Sequence, residues 1–79
     1  MVVISKKTLK PIINEVPSGT INSLNTIFTV ANTPLNGDIE VILNGQIVTR
    51  NADYTFSGVT ITFAKAPRTN SKLLVNYFV

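Results

Sequence analysis

Between Asp38 and Phe63 the chain alternates apolar and polar residues with the period of a β-strand, twice over. Asn44-Gly45 interrupts the first alternation, and this dipeptide between strand-forming runs is the strongest short hairpin signal, since both positions of a type I′ turn need φ > 0. Counting outward predicts the pairs Leu43/Gln46, Ile42/Ile47, Val41/Val48 and Glu40/Thr49. Ile39, Val41, Leu43 and Val48 then share one side, because side chains alternate between the faces of a sheet. Ser57-Gly58 interrupts the second alternation and predicts Phe56/Val59, Thr55/Thr60 and Tyr54/Ile61 as pairs. One face of that hairpin carries Tyr54, Phe56, Val59, Ile61 and Phe63, and the other Asp53, Thr55, Thr60 and Thr62. A one-residue slip would bury the polar set.

The rest of the chain supplies cover. Val2-Val3-Ile4 and Ile12-Ile13 are short apolar runs separated by Lys6, Lys7 and Lys10, and Pro11 discourages a helix across the join. Residues 1–16 read as an N-terminal arm or edge strand, with a short strand near Val2 to Ser5, either frayed or docked on a neighbouring subunit. Pro17-Ser18-Gly19 is a turn, after which residues 17–79 form the module proper. Phe28 and Val30 face inward with Thr29 outward, Asn32 to Gly37 is a loop, Arg50-Asn51-Ala52 links the hairpins, and Ala64 to Ser71 leads to a closing strand from Leu73 to Val79. No stretch holds a 3.6-residue period. The expected fold is all-β, a small antiparallel β-sandwich of six to eight short strands, with a small barrel as the neighbouring possibility. Its core is Ile21, Phe28, Val30, Ile39, Val41, Leu43, Val48, Tyr54, Phe56, Ile61, Phe63, Val75 and Tyr77.

That core leaves Ile27, Ile42, Ile47, Leu74 and Phe78 on the opposite face, with Leu24 at a turn. Ile42 and Ile47 are cross-strand partners, so they form a contiguous apolar pair, and contiguity is what asks for an explanation. Either another subunit covers these residues, or a second sheet or the N-terminal arm does so within one chain. Size bears on the choice. A chain of 79 residues with no cysteine buries only about 60–65% of its unfolded surface and has no disulfide to compensate. Its 44% hydrophobic and 14% charged content is apolar for so small a domain, which favours oligomerisation.

Charge and chemistry narrow the function classes. The net charge of +3 is spread over an N-terminal group (Lys6, Lys7, Lys10) and a loop group (Lys65, Arg68, Lys72), sparser than a nucleic-acid binder requires. Met1-Val2-Val3-Ile4 is too short for a signal-peptide core, and no window reaches the about 20 apolar residues of a membrane span. There is no histidine, cysteine or tryptophan. Glu15, Asp38, Glu40 and Asp53 sit on separate elements without metal-ligand spacing. Ser5-Lys6 and Ser71-Lys72 are sequence neighbours, which in a strand point to opposite faces and make no dyad. The glycines each occupy a turn rather than a phosphate loop. The reading is a non-enzyme without cofactor or metal.

From Pro17 onward the chain resembles a module found in structural proteins of tailed bacteriophages, in tail fibres, baseplate components and small tail-tip proteins. The residues that carry the resemblance are Ser18-Gly19-Thr20-Ile21-Asn22, Asn25-Thr26-Ile27-Phe28-Thr29-Val30, Asn32-Thr33-Pro34-Leu35, Val41-Ile42-Leu43-Asn44-Gly45, Asp53-Tyr54-Thr55-Phe56-Ser57-Gly58, Thr60-Ile61-Thr62-Phe63, Ala66-Pro67 and Leu74-Val75-Asn76-Tyr77. Gln46, Val59 and Leu24 depart from the pattern, and residues 1–16 have no counterpart in it. The resemblance implies a β-sandwich like the shoulder domains of phage receptor-binding proteins, which scaffolds or presents, often as a trimer or hexamer. It further implies an accessory or tail-tip protein of the virion, made in the host cytoplasm, whose partners are copies of itself and other tail proteins.

Two competing classes make different demands. A nucleic-acid-binding barrel of the OB or cold-shock type needs aromatics exposed on a strand face beside basic residues, whereas Tyr54, Phe56 and Phe63 share the inward face and only Phe78 points outward. A carbohydrate-binding module needs an aromatic platform and carboxylates in one cleft, and the sequence offers no such cluster. The leading expectation is homo-oligomeric assembly through Ile27, Ile42, Ile47, Leu74 and Phe78, with no nucleic acid and no membrane insertion.

Overall fold

The computed structural model describes residues 10–79, and the expected strand near Val2 to Ser5 lies outside them. Among the described residues there are seven strands: β1 (Pro11–Glu15), β2 (Ile27–Thr29), β3 (Ile39–Leu43), β4 (Gln46–Ile47), β5 (Tyr54–Ser57), β6 (Thr60–Phe63) and β7 (Leu73–Phe78). A single 3₁₀ turn, Leu35–Gly37, precedes β3. The strands form two antiparallel sheets, one in the order β1-β7-β3-β4 and the other β2-β6-β5. The fold is the expected all-β sandwich.

The two hairpins of the central stretch lie in different sheets. β3 and β4 pair as Ile42/Ile47 and Leu43/Gln46 around Asn44 (φ 53°) and Gly45 (φ 81°), the geometry that a type I′ turn requires. Val48 still donates its N–H to the Val41 carbonyl (3.0 Å). The expected Glu40/Thr49 pair does not form, because the chain turns away to reach the second sheet. Thr49 N–H goes to the Asp53 carboxylate (2.7 Å), and the Asp53 N–H returns to the Thr49 carbonyl (2.8 Å). Residues 49–53 are thus a closed turn that carries the chain between sheets.

The second hairpin corrects the sequence reading. β5 and β6 pair as Tyr54/Phe63, Thr55/Thr62, Phe56/Ile61 and Ser57/Thr60, so each partner lies two residues further on than expected. Ser57 belongs to the strand, and the turn residues are Gly58 and Val59. The reason is backbone sterics. A Ser57-Gly58 type I′ turn would put serine at φ > 0. The observed turn needs positive φ only at Gly58 (62°), as a type II′ turn does. A shift of two preserves every side-chain face, which is why Tyr54, Phe56, Ile61 and Phe63 remain inward.

Phe28, Val30, Val41, Tyr54, Phe56, Ile61, Phe63, Leu73, Val75 and Tyr77 form the buried core, with Ile21, Ile39, Leu43 and Val48 partly buried against it. Leu73 is buried although the expected set lacks it, and Ile12, Val59 and Val79 also pack partly buried against the core. The rings of Phe28 and Phe63 meet edge to face at 5.7 Å, a favoured aromatic geometry. The first strand after the described N-terminus is an edge strand: β1 pairs β7 through Pro11/Phe78, Ile12/Tyr77 and Glu15/Val75. A bulge falls between Ile12 and Glu15, where Asn14 adopts φ 56°.

Side chains tie the loops to this frame. Asn44 accepts the Lys72 N–H (2.8 Å) and donates to Ser71 (3.3 Å), fastening the first turn to the last loop. Arg50 donates to the carbonyls of Gly37 (2.8 Å) and Phe56 (3.3 Å) and stacks 5.6 Å from the centre of the Phe56 ring, so one guanidinium ties the 3₁₀ turn before β3 to β5. Tyr77 donates its hydroxyl to Glu15, whose other oxygen accepts the Ala31 N–H (2.8 Å), and Asn32 donates to the same hydroxyl (3.3 and 3.4 Å). Burial first, and then the bond to Glu15, raise the Tyr77 pKa above its ordinary value.

Candidate assembly face

The outer face of the four-stranded sheet follows from register. Ile47 pairs Ile42, and Ile42 pairs Leu74, so the three stand in one row across β4, β3 and β7, perpendicular to the strands. Side chains directly opposite on one face lie about 4.5–5.5 Å apart. The row is therefore continuous. Ile42 and Leu74 are half-buried by their neighbours, while Ile47 at the edge is 67% exposed.

One step along the strands the row gives way to a polar one. Glu40 pairs Asn76, and the Asn76 side chain donates to the Glu40 carboxylate (2.9 Å) while accepting the Asn14 N–H (2.7 Å) at the β1 bulge. A further step brings Phe78, 48% exposed and paired with Pro11, together with Ile13. Ile13, Asp38, Glu40, Asn76 and Phe78 line an open cleft of about 330 Å³ there. On the other side of the apolar row stands Lys72, exposed one residue before β7 and opposite Asn44. Along β7 the outward sequence is thus Lys72, Leu74, Asn76, Phe78.

Of the five residues expected on one face, the structure gathers Ile42, Ile47 and Leu74 into a row and sets Phe78 on the same face beyond the Glu40–Asn76 row. Ile27 does not join them. It pairs Thr62 on β6 and, since Phe28 beside it is buried, projects from the outer face of the three-stranded sheet, which is otherwise lined with threonines and Ser57. Leu24 is 83% exposed in the loop before β2. In the sequence the leftover apolar residues form one set, because alternation reports which way a side chain points from its own sheet. It does not say which sheet that is.

The reading also missed Ile13, whose outward position beside Phe78 depends on the register of β1. And it found no aromatic close to carboxylates, although the β3/β7 pairing brings Phe78 beside Asp38 and Glu40. Those partnerships are long-range and invisible to local counting. Among the described residues no group of three or more metal-ligating side chains is assembled, and no helix is long and apolar enough to cross a membrane.

The geometry defines a small two-sheet β-sandwich whose distinctive surface is an apolar row flanked by charge on one open sheet face. Comparison with known proteins finds no match: no family model, no curated protein and no solved structure.

Proposed function

We propose that this chain is a non-enzymatic structural or accessory protein of a bacteriophage tail, which acts by homo-oligomeric assembly. The observation that carries the assembly half is the unbroken row Ile47–Ile42–Leu74 on an open sheet face. Ile47, 67% exposed, would contribute most, up to the about 1.5–3 kcal/mol of an apolar side chain taken fully out of water, with smaller increments from the half-buried Ile42 and Leu74. The tail assignment draws its support from the resemblance of residues 17–79 to tail modules, set out above on its residues.

The nucleic-acid alternative gains no support from the fold. Tyr54, Phe56 and Phe63 are buried between two sheets rather than presented on one, and stacking on bases needs exposed rings. Sedimentation velocity across a concentration series tests assembly: a species of two or more chains is expected, and a strict monomer at millimolar concentration overturns it. For the tail assignment, peptide mass spectrometry of purified tailed particles from the encoding strain should detect the chain at a fixed ratio to other tail proteins. Its absence from particles and from their assembly intermediates would refute that half.

A further inference from the structure

We infer that the open face of the four-stranded sheet binds the same face of a second copy across a two-fold axis that runs along the row Ile47–Ile42–Leu74. The inference rests on the assembly reading and deepens it by naming the surface, the symmetry and the charged contacts.

Leu74 has Lys72 two residues before it and Asn76 two residues after it on the same strand face, each about 7 Å away along β7. Asn76 holds the Glu40 carboxylate beside it (2.9 Å). Base and acid therefore flank the apolar row at equal distances on opposite sides. A two-fold contact requires that residue i meet residue j while j meets i. Rotation about the row meets this condition: it lays β7 over β7 of the copy with strand direction reversed, and sets Lys72 over Asn76 and Glu40 of the second copy, twice. Ile42, Ile47 and Leu74 then meet their own counterparts at the centre.

The alternatives fit less well. With the axis parallel to the strands each row faces itself, the Lys72–Asn44 row on its own copy and the Glu40–Asn76 row on its own, so neither charge meets an opposite one. A purely apolar partner would leave Glu40 and Lys72 desolvated without counter-ions. The area sets the strength. Four strands about 4.8 Å apart and about 20 Å long present a face well below the roughly 800 Å² per partner of a standard interface. The pair should therefore exchange readily, with a dissociation constant in the micromolar range.

The test is a charge swap read by sedimentation equilibrium. Lys72→Glu and Glu40→Lys should each weaken association by about tenfold or more, since two contacts per dimer turn from attraction to repulsion. The double variant K72E/E40K should return to within about threefold of the native constant. Ile47→Glu, at an exposed edge position, should leave a monomer, and thermal melting of each variant checks that the fold survives. Dimers, or hexamers built from dimers, with this pattern support the inference. An oligomer that ignores all three substitutions, or a simple trimer, overturns it while leaving assembly standing. A native chain that is monomeric throughout overturns both.

Discussion

Gly19 is where the chain can be stressed most informatively. It follows Ser18, whose backbone bonds Thr29 in both directions (2.8 and 3.0 Å), and it lies against the ring of Phe28, a fully buried core residue. A Cβ placed on Gly19 would sit 2.4 Å from Phe28 Cδ2, 3.0 Å from its Cε2 and 3.1 Å from the Ile27 carbonyl. Carbon atoms in contact keep about 3.5–4.0 Å, so alanine must displace either the ring or the backbone by about an ångström. The ring cannot give freely, being wedged edge to face on Phe63. Overpacking of this kind costs about 1–3 kcal/mol. The backbone adds to it, since φ 142° is a conformation that side chains resist at about 1–3 kcal/mol. Gly19→Ala should thus lose about 3–5 kcal/mol, a large part of the roughly 4–12 kcal/mol expected for a domain of this length. At about 4–8 °C per kcal/mol the melting midpoint should fall by about 12–40 °C. Gly37→Ala is the control, because its φ is 69° with nothing within 4 Å of the added atom. It should lose only about 1 kcal/mol. Urea unfolding of both variants separates backbone from packing, and equal losses within about 0.5 kcal/mol would refute the close approach of Gly19 to Phe28.

Three further outcomes follow from the hydrogen bonds. Tyr77→Phe removes the donor to Glu15 and the acceptor for Asn32, and should cost about 1–2 kcal/mol at neutral pH by urea titration. It should also flatten the alkaline limb of the stability curve. The folded-state pKa of Tyr77 is raised, so its contribution is full below the ordinary phenol value near about 10 and is lost as pH rises through the raised one. Arg50→Lys keeps the charge but not the two-pronged bridge between the Gly37 and Phe56 carbonyls, and should lower stability by about 1–2 kcal/mol in thermal unfolding. Asn25→Ala frees both the N–H and the carbonyl of Ile27, which the Asn25 side chain now satisfies (3.1 and 2.9 Å). Light scattering on heating should show earlier aggregation than in the native chain, since an open strand edge invites pairing.

What the sequence disclosed depended on how local the determinant was. The turn at Asn44-Gly45 was legible because two adjacent residues dictate it. The core was legible because alternation survives errors of register: β5 and β6 slid by two residues and Phe56 remained inside, now opposite Ile61. That robustness is also why the register itself was not legible, for a pattern of period two cannot distinguish slips by two. The choice between turns was made by the backbone cost at Ser57, which hydropathy does not report. Membership of a sheet was hidden for a different reason. Thr49 to Asp53 closes on itself through the Asp53 carboxylate and throws the second hairpin into the other layer, so Ile27 and Ile42 lie on opposite sides of the molecule.

The edges of the two sheets bear on how copies would meet. On β2 the outward groups of Ile27 are held by the Asn25 side chain and those of Thr29 by Ser18. On β5 the carbonyls of Tyr54 and Phe56 accept from Asn51 (2.6 Å) and Arg50. β1 carries Pro11, which has no N–H to offer, and then bulges at Asn14; prolines and bulges are both devices that blunt an edge. β4 is two residues long, and beyond it Thr49 is already engaged with Asp53. An added strand would find a run of at most one outward residue, Ile47, on which to build a ladder, which is about two hydrogen bonds. Backbone pairing between copies is therefore a weak route. The same Ile47 is one end of the apolar row, so the face offers three side chains where the edge offers a single residue. In the assembly proposed above, the sheet face, with charge on either side to set its direction, is therefore the stronger route.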